Sequence, residues 1–236
     1  MRVFATIAYK GTDFFGSQIQ KETSNTIFGV FGGVLEKLGI NSKVVASGRT
    51  DRGVHATGQV CHFDLPPFWD DLEKLHKTLN TMLPPSILVK KIIQVDDTLH
   101  ARYSAKKRSY RYILKEGQSN PFEDDLITFV PKIDMQDITQ KLKIFLGEHD
   151  FCNFMKTGSD VGSSKRIIYK AFVYKHKNYT IISFEANGFL RSQIRLMVGA
   201  LLTLSQEDIE AKLNDTKKIK LKPAPGNGLY LSKIKY

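Results

Sequence analysis

Apolar and polar positions change period along the chain, and the changes mark out the elements. Arg2 to Tyr9 alternates as a strand. Ile27, Val30, Phe31, Val34, Leu35 and Leu38 then recur at helical spacing, and Gly39 closes that helix. Strands over 43–48 and 58–64 bracket a glycine-rich loop. A helix over 69–80 carries Leu72, Leu75 and Leu79 on one face, and Ile87 to Val95 reads as a strand. The order strand-helix-strand-strand-helix-strand is that of a ferredoxin-like (RRM-like) unit. The remainder predicts a basic strand over 101–114 and an amphipathic helix over 134–146. Strands over 165–175 and 179–186, a helix over 189–205 and a last strand from Leu229 to Ile234 follow. The pattern therefore predicts an α+β chain of two halves, 1–97 and 98–236, with antiparallel sheets flanked by helices, divided near Asp96-Asp97-Thr98. No sequence repeat of fixed period and no low-complexity tract interrupts it.

The loop between the second and third strands carries the chemistry. Ser47-Gly48-Arg49-Thr50-Asp51-Arg52-Gly53-Val54-His55 sets one carboxylate between two arginines, with glycines that let a ligand approach the main chain. Nearby positive charge favours the ionised form of an acid, which is what a nucleophile or a general base requires. A solvated hairpin whose Asp51 bonds its own turn fits the same residues.

Charge changes the picture next. The 236 residues hold 35 Lys plus Arg against 24 Asp plus Glu, a net charge of +11, which points to a polyanionic partner such as nucleic acid. Cys61 and Cys152 form no CxxC pair and read as reduced core thiols rather than metal ligands or a disulfide. No stretch has the apolar length of a membrane span and the amino terminus lacks a signal peptide's apolar run, so the expected setting is cytoplasmic. There is no Walker motif, no GxGxxG and no cluster of metal ligands, so no cofactor and no metal are expected.

Five blocks of sequence resemble one family. Arg49-Thr50-Asp51-x-Gly53-Val54-His55-Ala56 resembles the active-site motif of the TruA family of tRNA pseudouridine synthases. Tyr9-x-Gly11-x-x-Phe14-Phe15-Gly16-x-Gln18 is similar to its amino-terminal motif, and His100 to Ala105 followed by Tyr110-Arg111-Tyr112 to its central strand. Phe189-Leu190-Arg191 with Arg195, Val198 and Gly199 resembles its carboxy-terminal helix, and Gly226 to Leu231 its final strand. The blocks stand in the family's order from Tyr9 to Leu231.

The resemblance implies the pseudouridine synthase fold with a central active-site cleft between the halves. It also implies isomerisation of uridine in the anticodon stem-loop of tRNA, no cofactor, and a homodimer. It implies that Asp51 is the essential acid, either attacking the sugar or base or abstracting a ribose proton. Arg195 becomes the candidate holder of Asp51 through an ion pair, against the alternative of an ordinary amphipathic helix with a basic outer stripe made by Arg191 and Arg195. Tyr110 matches the tyrosine that contacts the extruded base. Its neighbours Arg102, Tyr103, Lys106, Lys107, Arg108, Arg111 and Tyr112 interleave rings with cations, which suits RNA.

Arg49, His55, Arg102 and Arg191 complete the candidate substrate contacts, His55 equally serving as a buttress of the loop. Lys217, Lys218, Lys220 and Lys222 read as a solvated linker, and Phe14 and Phe15 as core. The sequence departs from the family pattern at Ser17, where tryptophan is usual, and at Ser86, where aspartate is. It also departs at Gln193-Ile194, which replaces Met-Val, and at Arg52, which replaces a small residue. A non-catalytic RNA-binding module on the same ferredoxin-like units is the competing reading. A hydrolase using Asp51 ranks below it, because no second carboxylate stands obviously beside that residue.

Overall fold

The computed structural model describes residues 1–158 and 162–236. Its elements are β1 (Arg2–Tyr9), α1 (Ile27–Lys37), β2 (Val45–Ala46), β3 (His55–Asp64), α2 (Leu72–Met82), β4 (Ile87–Gln94) and β5 (Lys107–Glu116). They continue with β6 (Thr128–Val130), α3 (Met135–Lys143), β7 (Gly147–Asp150), β8 (Lys165–His176), β9 (Tyr179–Ala186), α4 (Gln193–Thr203), α5 (Gln206–Leu213) and β10 (Leu229–Lys235). Contacts divide the chain into one unit of Met1–Lys106 with Tyr230–Tyr236, and a second of Lys107–Leu229.

In the first unit β1 lies between β4 and β3, antiparallel to both, and β2 pairs antiparallel with β3. That is the ferredoxin-like order 4-1-3-2 expected from the element sequence. The other edge of β3 is shared. β2 takes its far end through Val45↔His62 and Ala46↔Cys61, while β10 pairs in parallel at the near end through Tyr230↔His55 and Leu231↔Ala56. The expected strand over 43–48 is here two residues long. Helix α1 starts where the Thr26 hydroxyl accepts from the Gly29 amide at 3.1 Å and stops before Gly39, whose φ is +73°. Asp71 caps α2 in the same way, accepting from Lys74 N–H at 2.9 Å. Between helices and sheet, Phe31, Leu35, Phe63, Leu75, Leu79 and Val89 are fully buried and form the core.

The second unit orders its strands β5-β9-β8-β7, antiparallel throughout, with α3 between β5 and β8 in the chain and α4 after β9. It thus repeats the 1-3-2 placement of the first unit, and β6 adds in parallel beside the end of β5. Phe154 packs edge to face on both Phe145 and Phe151, in a turn that meets α4 and α5.

Several elements differ from the sequence reading. The basic strand begins at Lys107 rather than 101. His100 Nδ1 accepts from the amides of Arg102 and Tyr103 at 3.1 and 3.2 Å, which curls 101–104 into a turn. The last helix begins at Gln193 rather than 189, because Ser192 sits in the left-handed region at φ 59°. Arg191 is therefore outside α4 and shares no helix face with Arg195. Helix α5 and strands β6 and β7 were not expected. Of the two thiols Cys61 is buried but Cys152 is exposed, and Phe14 is buried while Phe15 is 44% exposed.

Candidate active site

In the first unit, buried residues of β1, β3 and the amino-terminal loop hold the Asp51 loop. The Thr50 amide donates to Ser17 Oγ at 2.8 Å, and the Thr50 carbonyl accepts from the Ser17 amide at 3.1 Å. The Thr50 hydroxyl meets Tyr9 Oη at 2.9 Å. Gln59, buried on β3, donates to the Gly48 carbonyl at 2.8 Å and accepts from Ser47 Oγ at 2.7 Å. Beyond Asp51 the chain turns through Gly53 at φ +80°, and Val54 N–H closes the turn on the Asp51 carbonyl at 3.1 Å. Loop and amino-terminal motif touch so closely that a Cβ on Gly11 would stand 2.0 Å from the Val54 carbonyl oxygen. Glycine is the one residue that permits this approach.

Burial sets the chemistry of these supports. Desolvation pushes the Tyr9 phenol up to about 12, so it stays neutral and keeps a proton to donate. His55 is buried, its Nδ1 accepts from the Gly11 amide at 3.0 Å, and its ring stacks on Tyr230 at 4.6 Å. It joins β3, β10 and the amino-terminal loop. Asp51 itself is half-buried, Arg49 and Arg52 are exposed, and Arg102 is exposed in the turn before β5, 5.8 Å over the Tyr103 ring.

In the second unit Tyr110 and Arg195 stand on regular elements. Tyr110 is buried in β5, edge to face with Phe189 at 5.3 Å. Tyr112, two residues on, is buried on the same face, and its hydroxyl meets Thr128 Oγ1 and donates to the Pro225 carbonyl, each at 2.8 Å. Arg111 between them is exposed. The strand thus separates Tyr110 and Tyr112 from that cation by the two-residue period. Arg195, half-buried on α4, donates from Nε to the Ala224 carbonyl at 2.7 Å, while Ala224 N–H returns to the Arg195 carbonyl at 2.8 Å. A Cβ on Gly199 would lie 2.5 Å from the Lys222 carbonyl oxygen, so the 222–224 segment rests on the helix. Arg191 is exposed ahead of α4. The Lys217–Lys222 run is partly neutralised within itself, by Asp208 on Lys217 at 2.7 Å and Asp215 on Lys218 at 2.5 Å.

Three departures from the family pattern acquire roles here. Ser17 clamps Thr50 from both sides. The Ser86 hydroxyl donates to Asp13 at 2.6 Å, which holds that carboxyl below its usual range; an aspartate at 86 would set two carboxylates together. Gln193, fully buried, accepts from the Leu190 amide at 2.8 Å and so ties the turn ahead of α4 to the helix's first residue. Sequence reasoning missed all three, because each partner is remote in sequence or lies across an irregular turn.

Comparison with known proteins now bears on the loop. A family model described as tRNA pseudouridine synthase matches residues 5–104 and 142–236. The chain belongs to that family. A tRNA pseudouridine synthase A of Wolinella succinogenes is 39% identical over 239 residues, covering 99% of this chain and 94% of the relative. Proteins of the same name from Helicobacter hepaticus (37%, 98% of each chain) and Anoxybacillus flavithermus (36%, 100% and 98%) are equally complete matches. Among solved structures, one chain of a Cbf5-Nop10-Gar1 complex covers 97% of this chain and 48% of its own, at 13% identity and a TM-score of 0.39, too distant to carry an argument. Asp51, Arg49, His55, Arg102, Arg191 and Arg195 fall in the stretches matched by the family model; Tyr110 falls in the unmatched interval 105–141. Among the described residues no helix is long and apolar enough to cross a membrane, and no three His, Cys, Asp or Glu side chains form a group that could hold a metal ion.

Proposed function

We propose that this chain isomerises uridine to pseudouridine in the anticodon stem-loop of tRNA, with Asp51 as the essential acid. Family membership assigns the enzyme class and the tRNA substrate. The observation that supports Asp51 is its anchorage. Thr50 on one side is tied at three points and Val54 on the other closes the turn, so the backbone that carries the carboxylate is held before substrate arrives.

The reaction breaks the bond from ribose C1′ to uracil N1, turns the base, joins its C5 to C1′ and releases the C5 proton. Asp51 serves it either as nucleophile or as the base that takes a ribose proton. Tyr110, already edge to face with Phe189, is proposed to contact the extruded base. Arg49, His55, Arg102 and Arg191 are proposed on the substrate side, His55 acting through the loop it supports. The pairing of Arg195 with Asp51 is likewise a proposal, read by a double-mutant cycle on the rate. A homodimer, tested by sedimentation, and a cytoplasmic setting complete the reading.

The deciding experiment is tritium release from uracil-C5-labelled tRNA by wild type and Asp51→Asn. Release by the wild type alone supports the assignment. No release by either, with tRNA still bound, favours a non-catalytic RNA-binding module.

A further inference from the structure

The Asp51 loop has a neighbour that the assignment above does not use. Phe15 was expected in the core, yet its ring is 44% exposed and the Arg52 guanidinium lies 4.6 Å from its centroid. The loop that carries the ring is held. The Phe15 amide donates to the Asn25 carbonyl at 3.0 Å, and its carbonyl accepts from Gln20 Nε2 at 2.6 Å. Gly16, at φ +96°, then brings the chain against the catalytic residues. A Cβ there would stand 3.2 Å from the Thr50 oxygen, 3.4 Å from the Arg52 nitrogen and 3.6 Å from the Asp51 carbonyl carbon. The ring is thus carried on a loop that touches the backbone of Thr50-Asp51-Arg52. Arg52 follows Asp51 directly, and its flat cation rests on that ring at the surface.

We infer that Phe15 and Arg52 form a stacking platform for the nucleotide next to the target uridine, with the base of that neighbour lying on the Arg52 guanidinium. The inference rests on the isomerase reading, since it gives the platform a substrate. An arginine plane layered on an aromatic ring accepts a nucleobase on its other face, whereas a lysine in the same place offers only a point charge. A base extruded toward Asp51 leaves an unstacked neighbour one nucleotide away, and the platform stands one residue from Asp51. Arg52 is also where this sequence carries a large cation in place of a small residue. The platform is therefore a specificity element of this chain and not part of the acid's own support.

The test compares wild type, Arg52→Lys, Arg52→Ala and Phe15→Ala by tritium release from labelled tRNA. Each protein is checked by its melting temperature. Substrates are the intact RNA and one with an abasic nucleotide beside the target uridine. On intact RNA the expected result is a KM raised about tenfold for Arg52→Ala and Phe15→Ala, with kcat within about twofold. Arg52→Lys is expected to resemble Arg52→Ala, because stacking needs the plane. On the abasic RNA all four proteins are expected to converge. Full rescue by lysine, or penalties that persist on the abasic RNA, would overturn the stacking role in favour of a phosphate contact. Unchanged KM in all three variants would overturn the platform altogether. A wild type that releases no tritium would fail the isomerase reading instead, so the two failures are distinct.

Discussion

The two units solve the same problem in opposite ways. In the first, buried side chains of β1, β3 and the amino-terminal loop bond an irregular loop, and the candidate acid rides on that loop. In the second, Tyr110 and Arg195 stand on β5 and α4, and it is the irregular 222–228 segment that is tied down onto those elements. An acid on a loop can meet a substrate at close range, but only if many bonds suppress the loop's motion. A side chain on a helix or strand inherits its rigidity from the ladder. The lesson is that the first arrangement concentrates functional risk in the supports, whereas the second distributes it over the fold.

The sharpest probe of that contrast is the acid itself. Asp51→Asn is expected to lower the rate by about a thousandfold or more while the protein still folds and binds tRNA, because it nearly preserves the shape of the side chain and removes its charge. Kinetics, thermal melts and tRNA binding together check this.

The glycines come next. Gly11→Ala and Gly199→Ala would each place a methyl against backbone, 2.0 Å from the Val54 oxygen and 2.5 Å from the Lys222 oxygen. Each is expected to cost about 1–3 kcal/mol or more in denaturant unfolding. The sign at Gly199 is informative, since alanine in a helix interior ordinarily stabilises by up to about 1 kcal/mol. A neutral or stabilising outcome there would show that the 222–224 segment lifts off α4 easily.

A smaller and more selective difference is expected between Ser17→Ala and Tyr112→Phe. The first leaves the buried Thr50 amide without its acceptor, at about 1–3 kcal/mol, and is expected to lower kcat because Asp51 is the next residue. The second removes the hydroxyl shared by Thr128 and Pro225, costs about 1 kcal/mol, and acts mainly on stability. Equal effects of both on kcat would erase the distinction between loop support and fold support.

The smallest effect is a pH dependence of the first unit. Burial, then the charges of Arg2 and His100, hold His62 below its ordinary value of 6.5, and its Nδ1 accepts from the Ala101 amide at 3.1 Å. The unfolded chain takes a proton near that ordinary value which the folded unit refuses. Stability is therefore intact above about pH 6.5 and falls as the pH drops below it, until the folded form also protonates. Melting temperatures across that window are expected to flatten in His62→Gln.

Much of this was legible in the residues. The first unit's strand and helix order predicted a ferredoxin-like sheet, because period two and period 3.6 survive wherever an element buries one face. The family of the Asp51 loop was legible too, as a short motif in a fixed order with four others. Boundaries failed where a side chain overrode periodicity. His100 curls 101–104 out of the basic strand, and Ser192 delays α4 by a turn. Helix α5 was missed although its cap was present, Ser205 accepting from Asp208 N–H at 3.1 Å, because only Ile209 and Leu213 form its buried apolar stripe.

The sequence by itself determined the alternation of elements, the basic character and the family motif of the Asp51 loop, since these depend on neighbours a few residues apart. Only the tertiary structure decided how the loop is held. Ser17 meets Thr50 across 33 residues, Gln59 reaches Gly48 across 11, and β10 returns more than 170 residues later to share the edge of β3. Such bonds arise when a buried polar atom must find a partner wherever the fold brings one, and no local pattern records which partner that is.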